Sequence, residues 1–225
     1  MASYFITGTG TDIGKTWLSC ALLRHWRAAG LSTRAFKPVM SGVELDNLPA
    51  SDAGQLLLAQ GIEVSAASVA DISPWRFAAA LSPDMAAAAE GRRIDFEALL
   101  AFSRRVTSAD LRKISLCEGV GGVMVPLDEH HTVLDWAQAL AVPVVLVAGS
   151  YLGSLSHTLT ALQALRSRGL SVAAIAINES TGSSVPLDAT LLSLSCHTQS
   201  VPLVAVARAA PDAGVAALAH ILHPS

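Results

Sequence analysis

The chain has 225 residues, of which 52% are hydrophobic and 15% charged, and its formal net charge is -3. That length can bury a proper core within one domain, while the mild acidity and lack of any basic block give nucleic-acid binding as the main activity poor support. No apolar stretch reaches the ~18 uninterrupted residues of a membrane span, and Met1-Ala2-Ser3-Tyr4 lacks a basic region followed by a hydrophobic one, so neither a membrane helix nor a signal peptide is expected.

Residues 4–7 read as a short buried strand, followed by the glycine-rich run Gly8-Thr9-Gly10-Thr11-Asp12-Ile13-Gly14 and a helix over 15–29 that Gly30 ends. Residues 34–39 are a second strand candidate. The alanine-rich stretch 77–91 is expected to be helical around 84–90, because alanine has high helix propensity. Helices are then predicted over 96–106, 133–140, 156–168 and 214–222, and strands over 114–117, 143–148, 172–177 and 203–206. Strands alternating with helices imply right-handed crossovers. The expected fold is therefore α/β, doubly wound, with a mostly parallel sheet and helices on both faces. No repeat, long linker or low-complexity tail interrupts it, so 1–225 is taken as a single domain.

Cys20, Cys117 and Cys196 are far apart, odd in number and form no Cys-x-x-Cys pair. A disulfide framework is not expected, a reducing cytoplasmic setting is, and all three read as buried filler. The seven histidines show no metal-ligand spacing, and His130 and His131 read as a solvated loop pair. No Gly-x-Ser-x-Gly nucleophile motif occurs.

The strongest motif is Gly8-Thr9-Gly10-Thr11-Asp12-Ile13-Gly14-Lys15-Thr16, lying between the first strand and first helix. Small residues let backbone N–H groups approach a phosphate chain, and the helix offers free N–H groups at its positive end. Lys15 can reach the β- and γ-phosphates, and the Thr16 hydroxyl can ligate Mg²⁺. The spacing departs from Gly-x-x-x-x-Gly-Lys-Ser/Thr: Gly8 leaves five residues before Gly14, and Gly10 leaves three. The bland alternative is a tight strand-to-helix turn with a surface lysine.

Nucleotide-bound Mg²⁺ commonly takes one or two protein carboxylates. Cys117-Glu118-Gly119-Val120-Gly121-Gly122 puts Glu118 at a strand end beside glycines, and Asp52 is a second candidate, with helix capping as its alternative reading. Lys37-Pro38-Val39-Met40-Ser41-Gly42 ends the second strand candidate. A lysine there points toward the crevice that ligands occupy beyond the strand ends, against an ordinary surface lysine.

Together these segments resemble the dethiobiotin synthase family. The likeness runs from Thr7 to Thr16, with the same long loop spacing, through Lys37-Pro38-Val39-Met40-Ser41-Gly42, Ser51-Asp52-Ala53, Ser82-Pro83, Glu118-Gly119-Val120-Gly121-Gly122, Asp135-Trp136, Leu152-Gly153, His157 and Asn178. The resemblance implies that 7,8-diaminononanoate, CO₂ and ATP become dethiobiotin, ADP and phosphate, in a cytoplasmic homodimer. It implies Mg²⁺ among Thr16, Asp52 and Glu118, and nucleotide against Asp12, Ile13, Gly14, Lys15, Thr16, Trp17 and Asn178, the last reading the base edge. It implies that Thr11, Lys37 and Ser41 bind the substrate carbamate, with Lys37, Lys15 and Thr11 serving the reaction. The sequence departs from the family pattern at Val120 (usually alanine), at Asp84 (commonly histidine) and at Ser156 (commonly asparagine). It also lacks the usual Gly and Pro over residues 205–208, ending at Arg208. The first two bear on substrate fit, the third on a subunit-crossing contact and the last on the base pocket. Two other readings share the phosphate loop: an amidoligase of the cobyrinic acid diamide synthase type, whose usual glutaminase domain this chain is too short to carry, and a partition or metallochaperone switch ATPase, whose lysine near the loop's start Gly8-Thr9-Gly10 does not supply.

Overall fold

The computed structural model describes residues 2–108 and 112–223. In chain order the strands are β1 (Ser3–Gly8), β2 (Thr33–Phe36), β3 (Val39–Met40), β4 (Trp75–Arg76), β5 (Ile114–Glu118), β6 (Val144–Gly149), β7 (Val172–Asn178) and β8 (Leu203–Val206). The helices are α1 (Lys15–Ala28), α2 (Asp52–Gln60), α3 (Ala66–Ile72), α4 (Pro83–Ala89), α5 (Phe96–Ser108), α6 (Val133–Leu140), α7 (Ser154–Ser167), α8 (Leu187–Ser195) and α9 (Pro211–Leu222), and a 3-10 turn, Leu45–Ala50, precedes α2. Six strands form one sheet in the order β2-β5-β1-β6-β7-β8, and every pairing in it is parallel. Parallel neighbours need long crossovers, and these carry the helices over both faces.

Strand side chains alternate between the two faces. Tyr4, Ile6, Val145, Val147, Ala174 and Ala176 join Leu18 and Leu22 of α1, Leu56 of α2 and Leu218 of α9 in one cluster. Phe5, Val144, Leu146, Ile175 and Ile177 join Leu99 of α5, Trp136 of α6, Leu162 of α7 and Leu194 of α8 in the other. Trp136 meets Phe5 edge to face at 4.9 Å, and its indole N–H donates to Ser103 Oγ at 3.0 Å. The buried ring thus keeps its polar atom satisfied.

The predicted strand over 34–39 is broken in two. β2 stops at Phe36, and β3 pairs with β4 in a separate two-stranded sheet. Pro38 has no N–H to give a ladder; Lys37 N instead donates to Ile72 O at 3.1 Å, and Pro38 O accepts from Trp75 N at 3.0 Å. The chain therefore leaves the sheet at Lys37, which frees that side chain to turn under the strand ends. The predicted helices agree with α1, α4, α5, α6, α7 and α9 to within a few residues. The sequence reading passed over α2, α3 and α8, which run 9, 7 and 9 residues.

Short α2 matters because it carries Asp52. Ser51 Oγ caps it by accepting from Gly54 N at 3.1 Å, and Gly61 closes it in the left-handed region at φ 73°. A Cβ on Gly54 would lie 2.0 Å from Leu48 O. Only glycine lets the 3-10 turn lie against the first turn of α2, and that contact sets where Asp52 stands.

Candidate active site

β1 ends at Gly8 in the middle of the sheet, so the loop that follows opens above the strand ends. Thr9 N donates to Val147 O at 3.0 Å, and Gly8 O accepts from Val123 N at 3.0 Å, tying the loop to β6 and to the loop that follows β5. The Gly8 Cα faces Ile13, whose Cδ1 a Cβ would meet at 2.3 Å, so the loop folds back on its own root. Asp12 (φ 56°) and Gly14 (φ 87°) supply the left-handed residues that turn the chain into α1. No side chain caps α1, and no acidic residue sits in its first turn. Its first N–H groups and positive end stay available for an anion. Lys15 is buried and its ammonium donates to Gly10 O at 2.7 Å, closing the loop into a ring. Burial first, and then the positive charge of Lys37, push the Lys15 pKa down to about 8, against the opposing pull of Glu118, Asp52 and Asp12.

Beneath the loop, the oxygen-bearing side chains converge. Glu118, 1% exposed, accepts the Thr16 hydroxyl proton at Oε1 (2.6 Å) and the Ser19 hydroxyl proton at Oε2 (2.8 Å). The Lys37 ammonium donates to the same Glu118 Oε1 at 2.7 Å and to Gly119 O at 2.9 Å, and pairs with Asp52 Oδ2 at 3.0 Å. Burial by itself would lower the Lys37 pKa. The carboxylates of Glu118 and Asp52 outweigh it and raise the pKa, so the ammonium stays protonated. Burial works against the Asp52 carboxylate too, yet Lys37, with help from the Thr16 hydroxyl, holds its pKa below the usual aspartate value. Lys15, Thr16, Lys37 and Asp52 floor a cavity of about 740 Å³ that Thr11, Ser41, Pro83 and Val120 also line, with Glu118 buried behind them.

A second cavity of about 710 Å³ adjoins the loop on the β7 side, lined by Asp12, Gly14, Trp17, Tyr151, Asn178 and Arg208 among others. Asn178 Nδ2 donates to Ile13 O at 2.7 Å, which fixes the amide plane. Its Oδ1 is buried and has no hydrogen-bond partner among the described residues. A Cβ on Gly14 would sit 2.6 Å from Asn178 Nδ2, so this glycine serves both the turn and the fit of the asparagine.

The structure therefore gathers Lys15, Thr16, Lys37, Asp52 and Glu118 into one cluster, puts Thr11 and Ser41 on the wall of the cavity above it, and puts Asp12, Ile13, Gly14, Trp17 and Asn178 around the second cavity. Lys37 is 2% exposed, not an ordinary surface lysine, and Asp52 is the first residue of α2, with Ser51 as the cap. Ser19 was missed. It lies three residues after Thr16 on α1, a spacing that puts both hydroxyls on one helix face, so the signal was present. Tyr151 beside the second cavity carried no such signal, whereas Arg208 lies there as the resemblance implied for the base pocket. Cys20 and Cys117 are buried as expected, but Cys196 is exposed, because it falls at the C-cap of the surface helix α8. His131 is not simply solvated: its ring stacks on Phe96 at 3.9 Å and its Nδ1 is 2.9 Å from Asp128 Oδ2.

A family model described as "AAA domain" matches residues 2–212. A chain of the MinC:MinD cell division protein complex of Aquifex aeolicus superposes with a TM-score of 0.59 at 11% identity, covering 100% of this chain and 96% of that one, a likeness of fold alone. A glycine-rich loop at the head of a central parallel strand, with its lysine and hydroxyl beside a buried carboxylate, defines a P-loop nucleotide-binding protein. The ATP-dependent dethiobiotin synthetases of Acidiphilium cryptum (strain JF-5) and Phenylobacterium zucineum (strain HLK1) are 50% and 45% identical over 203 and 223 residues, covering 90% and 99% of this chain and 91% and 95% of theirs. The chain belongs to the dethiobiotin synthetase family.

Proposed function

We propose that this chain closes 7,8-diaminononanoate with CO₂ into dethiobiotin, converting ATP to ADP and phosphate. The observation that carries the reading is the juxtaposition of two lysines and two carboxylates, Lys15, Lys37, Asp52 and Glu118, at the foot of a cavity that continues from the phosphate loop. In the first step one substrate amine adds to CO₂, forming an N–C bond and losing a proton. A carbamate oxygen then attacks the γ-phosphorus, and the bond to the β-phosphate oxygen breaks. Anion meets anion in that step, so the site must supply positive charge; Lys15 and Lys37 provide it, and phosphoryl transfer depends on such charge and on positioning. The second amine attacks the carbonyl carbon of the mixed anhydride, phosphate leaves, and the five-membered urea closes, helped by proximity. Thr11 and Ser41 on the cavity wall hold the carbamate. No enzyme nucleophile takes part.

The donor set suits Mg²⁺. The Thr16 hydroxyl and the carboxylates of Glu118 and Asp52 are all hard oxygen ligands, brought together around one ammonium. Among the described residues no group of three or more His, Cys, Asp and Glu side chains is placed to hold a metal. A cation here would accordingly arrive with the phosphates, the usual habit of Mg²⁺, and when bound would neutralise charge on the β- and γ-phosphate oxygens. Asn178 reads the base. Asn178 stands on the wall of the second cavity, and an amide oxygen turned to the base would suit the exocyclic amine of adenine and repel the keto oxygen of guanine. In a competition titration, ATP should outbind GTP by about tenfold or more; equal affinities would remove Asn178 from that role. By its family resemblance the chain also works as a homodimer.

The reaction is tested with ¹⁸O-labelled bicarbonate under conditions that limit exchange with water. Label should enter the released phosphate as well as the cyclic urea, because phosphate departs with a carbamate oxygen. ADP formation should require both diamine and CO₂. A switch ATPase would hydrolyse ATP without either and draw its phosphate oxygen from water, and binding of Mg-ATP with no cyclic urea formed would sink the assignment.

A further inference from the structure

Lys37 has committed its whole hydrogen-bonding capacity. An ammonium has three N–H donors, and Lys37 points them at Glu118 Oε1 (2.7 Å), Gly119 O (2.9 Å) and Asp52 Oδ2 (3.0 Å). In that arrangement none remains for a carbamate or a phosphoryl oxygen. Two of the three acceptors are carboxylates of the oxygen set that the proposed function gives to Mg²⁺. The Thr16 hydroxyl, the third member of that set, donates to the same Glu118 oxygen. The lysine and a divalent cation thus compete for the same atoms, and two positive charges crowded onto one buried carboxylate repel strongly.

We propose that Lys37 is the resting counter-ion of the Glu118–Asp52 pair, and that a divalent cation arriving with the nucleotide displaces its ammonium into the neighbouring cavity, where it meets the substrate carbamate. The inference rests on the metal assignment above. The geometry gives the exchange a direction. The Glu118 side chain is 1% exposed, whereas that of Asp52 is 44% exposed, so the cluster opens only at the Asp52 end. That end faces the cavity lined by Thr11, Ser41 and Lys37 itself. Ser19 keeps its hydrogen bond to Glu118 Oε2, so the carboxylate stays in place while its other oxygen changes partner. Lys37 stands on the short link between β2 and β3, outside either ladder, where a flexible side chain swings without disturbing the sheet. The consequence is order: the carbamate-binding lysine becomes available only once the nucleotide site is loaded, which protects ATP from being engaged in an incomplete site.

The test measures cation binding directly, with no turnover. Mn²⁺ is titrated into protein saturated with ADP, and free Mn²⁺ is followed by electron paramagnetic resonance, for wild type, Lys37→Gln and Glu118→Gln. The glutamine at 37 removes the charge but keeps an N–H donor for Glu118. Lys37→Gln should bind Mn²⁺ about tenfold more tightly than wild type, and Glu118→Gln should bind it more weakly. Unchanged or weaker binding in Lys37→Gln, with Glu118→Gln still impaired, overturns the exchange and leaves the metal assignment standing. Binding unaffected by Glu118→Gln overturns both. Should Lys37→Gln fail to fold, wild-type protein still decides: the ¹⁵Nζ resonance of Lys37, assigned by its shift in Asp52→Asn, should move and exchange faster with water when Mg²⁺ and ADP are added together, but not with ADP and a chelator. A resonance that Mg²⁺ and ADP leave in place overturns the proposal.

Discussion

Lys15 and Lys37 are buried lysines with opposite electrostatics. Lys37 has two carboxylates within 3.0 Å and is held charged, while Lys15 reaches only the Gly10 carbonyl and carries a pKa lowered to about 8. An ordinary lysine stands at 10.5. Between those two values the unfolded chain holds a proton that the native nucleotide-free protein has released, so this group's contribution to stability rises with pH across that window. Below it both states are protonated, and the native state bears the cost of a buried charge. The difference in unfolding free energy between wild type and Lys15→Gln should therefore shift in favour of wild type by about 1–3 kcal/mol from pH 7 to pH 10. Urea midpoints of both proteins at the two pH values measure it, and a constant difference would contradict the lowered pKa. In functional terms the lowered pKa means that Lys15 needs an anion beside it, and a phosphate chain on the loop supplies one.

At the scale of elements, the site depends on short segments held by single contacts. Asp52 reaches Lys37 because α2 begins where it does, and α2 begins there because the Leu48 carbonyl lies against Gly54. Gly54→Ala places a methyl group 2.0 Å from that oxygen, and backbone on both sides must shift. We expect a loss of about 1–3 kcal/mol of stability together with a raised Mg²⁺ requirement for turnover, since Asp52 moves with its helix. Chemical denaturation and a Mg²⁺ activation curve measure the two effects. An alanine variant of wild-type stability and wild-type Mg²⁺ dependence would show that the 3-10 turn does not position Asp52. Glu118 has the firmer support. It ends a fully buried strand whose neighbour β1 leads into the phosphate loop, so both halves of the site hang on one pair of strands.

At the scale of the whole molecule, the two cavities meet at the phosphate loop, one on the side of β2, β3 and α2, the other on the side of β7 and β8. Asp12, Gly14 and Trp17 belong to both walls, so a nucleotide lying along the loop spans the junction. Leu152, just ahead of α7, is 90% exposed. A leucine presented this openly gains by burial against another surface, in keeping with a second copy of the chain. Sedimentation equilibrium should return about twice the 23.3 kDa of one chain, and a monomer at assay concentrations would remove the dimer from the proposal.

Local chemistry determined much of this protein from sequence alone. Buried parallel strands read as apolar runs because both faces are covered, and the phosphate loop read clearly because its function needs small residues, a lysine and a hydroxyl at fixed offsets from a strand and a helix. That is why Thr16, Lys15 and Glu118 were visible, and why Ser19, one helical step from Thr16, could have been. The turn at Lys37 was not visible, since nothing in Arg34–Val39 except Pro38 distinguishes one strand from two, and the pairing of Val39–Met40 with Trp75–Arg76 joins segments far apart in sequence. Nor was α2, a short helix with a glycine in its first turn, whose stability comes from packing and not from propensity. The resemblance implied that Asp52 and Glu118 stand about one Mg²⁺, but only the tertiary structure decided that the Lys37 ammonium pairs with both of them. Their positions come from three separate elements brought together by the strand order of the sheet, and a buried ion pair has no signature in sequence until the fold removes the water around it.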